Sequence, residues 1–401
     1  MNRIVTLKNH SSIKMKQADR KNLYERALAS LSGERPEGNQ ASASIPVSRY
    51  LSRTVFEQER DLLRRRPLPV AAASELSAAG DWLSLDCYDT PLLLVRQPDG
   101  TVRAFLNVCR HRGARVVPAG RGHGARSFVC PYHAWTYKPD GDLKGLPQDF
   151  GFPCLDRSRS GLRRLAVSER AGMIWLILDP DQADQDIDTH LDPLMTELET
   201  QDLAQPQGFA SRSYLVKANW KLLVDGAFEA YHFKIAHRNT IAHMFTDNLQ
   251  IVDEFDLNRR LYLLKANFDP ASPPPRDRFQ PRDYGNIIYY FFPNTTFLVQ
   301  PDHTQFSTLE PLAPGLTRVH ETTLLPQAPD SEKARSYWQA NVDLYRRTLA
   351  EDYDLAESIQ SGLASGANEA LTFGTFEYSA PRFHRQLQQL LEQRQPHVVT
   401  V

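Results

Sequence analysis

Cys109-Arg110-His111 and Cys130-Pro131-Tyr132-His133 each set one thiol beside one imidazole, and the 18 residues 112–129 separate them. Such a set suits a [2Fe–2S] cluster with both thiolates on one iron and both imidazoles on the other. Neutral imidazole ligands lift the reduction potential well above that of an all-cysteine cluster, so flavin or ferredoxin donors can reduce it. Zinc is the competing reading, but zinc sites with two Cys and two His usually pair like with like, CxxC before HxxxH. Here each arm mixes its donors, as two similar loops would if each fed both irons. Gly113, Pro118, Gly124, Pro131 and Gly141 nearby mark the arms as loop tips. Cys109, His111, Cys130 and His133 are the expected cluster ligands.

The rest of the composition is that of an ordinary soluble chain. Its 401 residues are enough for two domains, each with a sizeable core. A net charge of −1 gives no reason to expect nucleic acid or an anionic membrane as partner. The apolar run around Gly172 to Leu178 is far too short to span a bilayer. No secretory signal is visible, and the lack of acids in residues 1–15 is only a weak feature of organelle transit segments, so a cytoplasmic location is expected. Of the four cysteines, Cys87 and Cys154 remain after the cluster, and in a reducing compartment they read as buried free thiols.

Residues 1–44 are polar and read as a flexible N-terminal arm. Residues 45–180 form the expected cluster domain. A helical stretch at Val47 to Arg66 precedes short strands near 82–85, 92–96, 103–107, 127–129, 135–137 and 173–178, with turns such as Pro98-Asp99-Gly100 between them. Residues 181–401 form a second domain, entered through an acidic linker. A strand near 212–217 leads to a helix from about Trp220 to His237. Strands near 261–268, 285–292, 295–300, 305–309 and 318–325 follow, then a long helix from about Ser331 to Leu363 and a shorter one near 382–395. Blocks of strands and helices make this an α+β domain with an antiparallel sheet.

That domain holds a second metal-binding pattern. Asp225, Glu229, His232 and Ala236 share one helical face, whereas His237 lies five residues past His232, about 500° of helical turn. The helix must therefore distort or end near Ile235, and a π-type bulge is a common solution at functional sites. Two imidazoles and one carboxylate on one face suit a mononuclear non-haem Fe(II) with positions open to O2. The carboxylate comes from the long helix. Trp338, Val342, Tyr345, Leu349, Asp352, Ala356, Ile359 and Leu363 repeat at helical spacing as a buried stripe, and Asp352 alone on it is charged. A buried carboxylate needs a cation. His232, His237 and Asp352 are the expected iron ligands, while Glu351 and Asp354 fall off the stripe and read as solvated. A di-iron bundle would need a second Glu-x-x-His copy, and none exists.

The cluster arms, the Asn219-Trp220-Lys221 opening, the Glu229-x-Tyr231-His232-x4-His237 run, Glu351-Asp352-x4-Glu357-x2-Gln360 and Phe383-His384 together resemble the catalytic α subunits of Rieske non-haem iron oxygenases, over nearly residues 45–390. Respiratory Rieske proteins carry two further cysteines beside the cluster. Ala114 and Tyr132 stand there instead, which points to the oxygenase type. The resemblance implies an N-terminal all-β Rieske [2Fe–2S] domain followed by a helix-grip-like α+β catalytic domain. It also implies a head-to-tail ring, usually a homotrimer, with a β subunit in some relatives. Glu229 matches the acidic bridge that joins a cluster His, here His133, to an iron His, here His232, of the next subunit. Asp225, the other candidate catalytic residue, stands with Gly226 where many relatives have Glu-Asn, a departure that leaves an iron-adjacent Asn role unassigned.

The function implied is that of a terminal oxygenase: NAD(P)H reduces a separate flavin or ferredoxin-type reductase, electrons pass to the cluster and then to iron, and O2 attacks a small-molecule substrate. No GxGxxG fingerprint is present, in keeping with a separate reductase. Tyr289, Tyr290, Phe291, Phe292, Phe297 and Phe306 could line an aromatic cavity, though half or more are expected in the core. An aromatic or other apolar substrate is the first expectation, and an N- or O-demethylase acting on a quaternary amine is the alternative. A Rieske electron carrier, or an inactive relative that kept its cluster, is the non-enzymatic reading. It would leave Glu229, His232, His237 and Asp352 without a common purpose.

Overall fold

Leu92, Leu93, Leu94 and Val95 are all buried, a continuous run suited to a strand covered on both faces. In the computed structural model, which describes residues 15–33, 38, 41–201, 203 and 206–393, this strand (Thr90–Arg96) is central to a five-stranded antiparallel sheet. The sheet order is Arg164–Leu165, Val102–Leu106, Thr90–Arg96, Trp82–Cys87, Gly120–Gly122. Leu93, Val95 and Phe105 face one core, which also contains Cys109, Cys130, Trp135 and Tyr137. A small sheet of Phe128–Val129, Thr136–Tyr137 and Leu143–Gly145 carries the second cysteine arm. The helix Arg53–Arg64, capped by Ser52, buries Phe56, Glu59, Leu62 and Leu63 along one face. Glu59 is matched by Lys221 Nζ at 2.6 Å, so a buried ion pair ties this helix to the second domain.

The second domain is built on a seven-stranded antiparallel sheet. Its order is Gln207–Val216, Leu316–Leu325, Thr304–Ala313, Thr295–Val299, Gly285–Phe291, Asn258–Lys265, Phe245–Phe255. Alternation divides its side chains between two faces. Tyr262, Leu264, Ile287, Tyr289, Phe291, Phe297 and Phe306 pack in one core with Leu194, Met195 and Leu198. Leu261, Leu263, Ile288 and Tyr290 point the other way, toward the helices Trp220–Ala227, Glu332–Ala364 and Ser379–Glu392. The long helix lies against this face, as a helix-grip-like domain requires.

Three expectations need correction. The stretch read as a flexible arm contains a helix, Gln17–Leu31, because Leu23, Tyr24 and Ala27 form an apolar stripe that packs on the catalytic sheet. Ala43–Pro46 is also ordered, paired antiparallel with Ala370–Phe373. The leader readings fall on residues 1–15, of which 1–14 lie outside the described residues. The helix expected over 220–237 is two helices, Trp220–Ala227 and Phe233–Ala236. It does end at His237 as the spacing required, but it first breaks at Phe228, and no π-bulge occurs among the described residues. Finally, Ile359 is 44% exposed while Ala356 and Leu363 on either side of it in the stripe are buried, so the apolar stripe of the long helix is interrupted there.

Candidate functional site

The two cysteine arms are built alike. In each, the backbone N–H four residues after Cys bonds back to its carbonyl, Gly113 to Cys109 and Ala134 to Cys130, both at 3.0 Å. In each, the Cys N–H donates to the carbonyl five residues on, Ala114 at 2.8 Å and Trp135 at 2.9 Å. The turn is closed by a left-handed residue, Gly113 at φ +77° and Ala134 at φ +56°. Asn107, fully buried, holds the first arm by accepting from the Val116 and Val117 N–H groups and donating to the Val117 carbonyl. Both thiols are buried, and burial pushes the Cys130 thiol up. The His111 and His133 rings lie 4.7 Å apart, and His111 stacks on Trp135 at 5.0 Å. His133 is exposed, while the Nδ1 of His111 is buried with no partner. Burial, with His133 and Arg112 nearby, pulls His111 down and keeps its imidazole neutral. Two buried thiols and an orphaned imidazole nitrogen are the donor set a Rieske cluster takes.

The second group forms where the helix breaks. The Glu229 carboxylate takes the N–H groups of Tyr231 and His232, replacing intrahelical bonds and starting the short helix anew. It also accepts from His232 Nδ1. His237 Nδ1, almost fully buried, lies 2.8 Å from Glu351 Oε2, which also accepts from Thr240 Oγ1 at 2.6 Å. With both Nδ1 atoms taken by carboxylates, both Nε2 atoms are aimed at one point. They lie 3.2 Å apart, and Asp352 Oδ1 is 3.4 Å from His232 Nε2 and 3.0 Å from His237 Nε2. Among the described residues this is the one cluster of three or more potential metal ligands that converges so closely, within 4.8 Å. Burial alone would depress His232, but Asp352 and Glu229 outweigh it and lift it to about 10. Burial alone would raise Asp352, but the two imidazoles hold it below the usual carboxylate range. Such a set fits a divalent iron, which would stand in for the protons held there otherwise.

Sequence reasoning missed Glu351. Its Cα falls off the buried stripe, but its side chain reaches His237 round the helix. Asp225 does not join the three converging donors. Its oxygens are engaged by Tyr50 Oη at 2.7 Å and His384 Nε2 at 2.9 Å, within the core. Cys87 and Cys154 are free thiols. Cys154 is exposed rather than buried, and burial pushes the Cys87 thiol up to about 12.

Above the His232–His237–Asp352 group opens a cavity of about 600 Å³. Its walls are largely apolar, with Leu263, Ile288 and Leu298 from the sheet and Leu344 and Leu349 from the long helix. Of the six aromatic residues expected as lining or core, only Tyr290 lines it. The other five pack in the cores. Phe233, Phe245 and Phe373, which no sequence signal marked, line it instead. Asp225, Glu229, Asp352 and Glu377 also border it, and burial with the charges of Glu229 and Asp225 pushes the Glu377 carboxyl up.

The comparisons agree with both halves of this description. Residues 66–155 match the model of the Rieske [2Fe-2S] domain, and residues 203–393 match that of the ring hydroxylating alpha subunit, catalytic domain. The chain is 29% identical over 390 residues to the glycine betaine monooxygenase oxygenase subunit of Chromohalobacter salexigens, covering 86% of this chain and 85% of that one. Its fold resembles that of the quaternary ammonium Rieske monooxygenase CntA in complex with L-carnitine, at a TM-score of 0.72 and 24% identity, over 88% of this chain and 96% of that one. It also resembles naphthalene 1,2-dioxygenase from Rhodococcus sp., at a TM-score of 0.70 and 20% identity, over 94% and 99% of the two chains. No helix among the described residues is long and apolar enough to cross a membrane. With a Rieske domain ahead of a ring-hydroxylating catalytic domain, the chain belongs to the Rieske non-haem iron oxygenases as their catalytic subunit, an O2-dependent oxidoreductase that carries a [2Fe–2S] cluster and a mononuclear iron and receives its electrons from a reductase.

Proposed function

We propose that this chain oxidises an N-methyl group of a quaternary ammonium compound bound above His232, His237 and Asp352. The observation that carries this reading is the charge of the cavity. Asp225, Glu229, Asp352 and Glu377 border it, while Lys265 is the one Lys or Arg among its lining residues. A divalent iron offsets two of these four charges and Lys265 a third, and the negative charge that remains lies among the carboxylates at the metal ligands. It favours a cationic group on the substrate there, which the aromatic lining residues Tyr290 and Phe373 can also attract. The names of two of the three relatives above, the glycine betaine and quaternary ammonium monooxygenases, point the same way, and naphthalene 1,2-dioxygenase points to a second reading. The largely apolar walls favour that second reading, hydroxylation of a neutral aromatic substrate, to which the carboxylates would add nothing.

In this reading Cys109, His111, Cys130 and His133 hold the cluster, and His232, His237 and Asp352 hold the iron. When bound, the two groups supply electrons and O2 activation, so that one oxygen atom enters the substrate C–H bond and the other leaves as water with two electrons and two protons. The hydroxymethyl ammonium product then releases formaldehyde and a proton, leaving a tertiary amine. Glu229 and Glu351 orient the two imidazoles through their Nδ1–H groups. The apolar walls keep water from the reacting methyl group. Asp225, held by Tyr50 and His384, is a positioning residue that fixes the helix before the break.

Assembly is read from two exposed apolar patches. Val129, Tyr132 and Phe150 (83% exposed) flank the cluster arms, and Tyr231 and Ile235 (71% exposed) flank His232. Two different patches on one chain suit a heterologous, head-to-tail contact that closes as a ring. A homotrimer would bring His133 of one subunit to Glu229 of the next, with no need for a β subunit. The reductase is proposed to be of the flavin or ferredoxin type, in the cytoplasm, where NAD(P)H is available. The test is turnover with a competent reductase over quaternary ammonium and aromatic compounds. Formaldehyde release equal to substrate-dependent O2 uptake is expected with the former. Aromatic diols or phenols without formaldehyde would overturn the reading.

A further inference from the structure

We infer that Lys265 and Asn286 form a carboxylate subsite in the substrate cavity, so that the preferred ligand is a zwitterion with its ammonium at the metal ligands and its carboxylate on these two side chains. The inference rests on the cavity being the substrate site and deepens the proposal above.

Lys265 ends the strand Asn258–Lys265, and its side chain lines the cavity. Its Nζ forms no hydrogen bond or ion pair with any described residue, whereas its carbonyl accepts from Thr246 Oγ1 and the Phe268 N–H. Burial favours its neutral form, opposed by the charges of Asp283 and Asp302, neither of which is paired with it. An ammonium in a largely apolar cavity is costly without an anion. Asn286 lies on the adjacent strand and lines the same cavity. Only 8% of it is exposed, and its Oδ1 is buried with no partner. Unsatisfied buried amides are rare enough to require an explanation.

The sheet register joins the two observations. Leu263 is paired with Asn286, and Lys265 is two residues further along, on the same face. Diagonal neighbours of this kind lie about 7–8 Å apart at Cα, within reach of a long side chain. A carboxylate between them would accept from Lys265 Nζ and, with the amide turned, from Asn286 Nδ2. Gln300, the next residue past the strand paired with this one, continues the row of polar side chains. On its other side Lys265 is paired with Phe245, whose ring packs on Phe233 at 5.6 Å, and Phe233 packs in turn on His237 at 5.3 Å. Lys265 and the metal ligands therefore border one cavity, with this aromatic pair between their backbone positions.

The test measures binding to the iron-loaded, full-length protein by calorimetry. It uses carboxylate and carboxamide versions of the same compound, on a quaternary ammonium scaffold and on an aromatic one. Wild type is expected to prefer the carboxylate about 10- to 100-fold, the span of one charge-assisted hydrogen bond in a partly buried site. Lys265→Met should abolish that preference without weakening the carboxamide, and Lys265→Arg should restore part of it. Asn286→Leu should lower carboxylate affinity while its melting temperature holds or rises, because an orphaned acceptor is removed. A structural role for Asn286 would give the reverse. Equal affinity for carboxylate and carboxamide in wild type, or a preference that survives Lys265→Met, overturns the subsite. Preference for the aromatic scaffold overturns the quaternary ammonium reading instead, and the two failures are read from different comparisons.

Discussion

Replacing Glu351 with alanine tests whether the second metal site depends on a residue outside the three converging donors. The Glu351 carboxylate lies 2.8 Å from His237 Nδ1 and 2.6 Å from Thr240 Oγ1. It selects the tautomer with the proton on Nδ1, so Nε2 presents a lone pair to the point shared with His232 and Asp352. Without it the ring can place its proton on Nε2, and that orientation excludes a metal. Losing such a partner of a histidine ligand typically costs about 10- to 100-fold in metal affinity, or about 1.4–2.7 kcal/mol. Glu351→Gln keeps an oxygen that can accept from Nδ1–H, so its loss should be less than about tenfold on the same scale. Anaerobic Fe(II) titration of the iron-depleted protein against a competing chelator reads both variants, with the cluster absorbance reporting an intact fold. Wild-type iron affinity in Glu351→Ala would refute the reasoning. So would equal losses in both variants, since charge rather than orientation would then be the cause.

Other outcomes follow from the same geometry. Asp352→Ala should reduce the iron content from about three to about two per chain while leaving the cluster spectrum unchanged, because the two sites share no ligand; three irons retained would contradict the assignment. Glu59→Ala should destabilise the fold by about 3–5 kcal/mol, since it leaves Lys221 charged and buried, whereas Glu59→Leu with Lys221→Met should be close to neutral; chemical denaturation separates the two. The raised His232 gives a pH dependence with a definite sign. Its folded value of about 10 exceeds the unfolded value of 6.5, so in the iron-free protein its contribution is fully present below 6.5 and is lost as pH rises toward 10. Iron must displace that proton, so Fe(II) binding at neutral pH should release protons, seen as a dependence of the calorimetric heat on buffer ionisation enthalpy. No proton release would show that His232 is already neutral.

What could be read from the sequence was whatever is fixed by short-range chemistry. The cluster arms needed only four residues at two spacings, and the two turns differ by a single inserted residue between Cys and His. Asp352 was legible across more than a hundred residues because a charge on an apolar stripe contradicts the burial around it. Glu351 was not, because helical periodicity locates a Cα and says little about a flexible side chain that reaches the neighbouring face. The strand Phe245–Phe255 was missed for a related reason. Its sequence, Phe-Thr-Asp-Asn-Leu-Gln-Ile-Val-Asp-Glu-Phe, does not alternate cleanly, and its register shifts between Phe245 and Gln250. The helix break at Phe228 had one local signal, Gly226 in the last turn before it, which the helical spacing of Asp225, Glu229 and His232 masked. It depends on Glu229, whose carboxylate serves two backbone N–H groups and the His232 ring together. That triple use explains why Glu229 cannot be judged by orientation of one imidazole alone. Glu229→Gln keeps an acceptor for the ring but removes the charge, so helix geometry and iron binding should survive better than electron transfer between subunits. Iron content near wild type with single-turnover reduction of the iron slowed at least tenfold is the expected pattern, and loss of both together would assign Glu229 to the break alone.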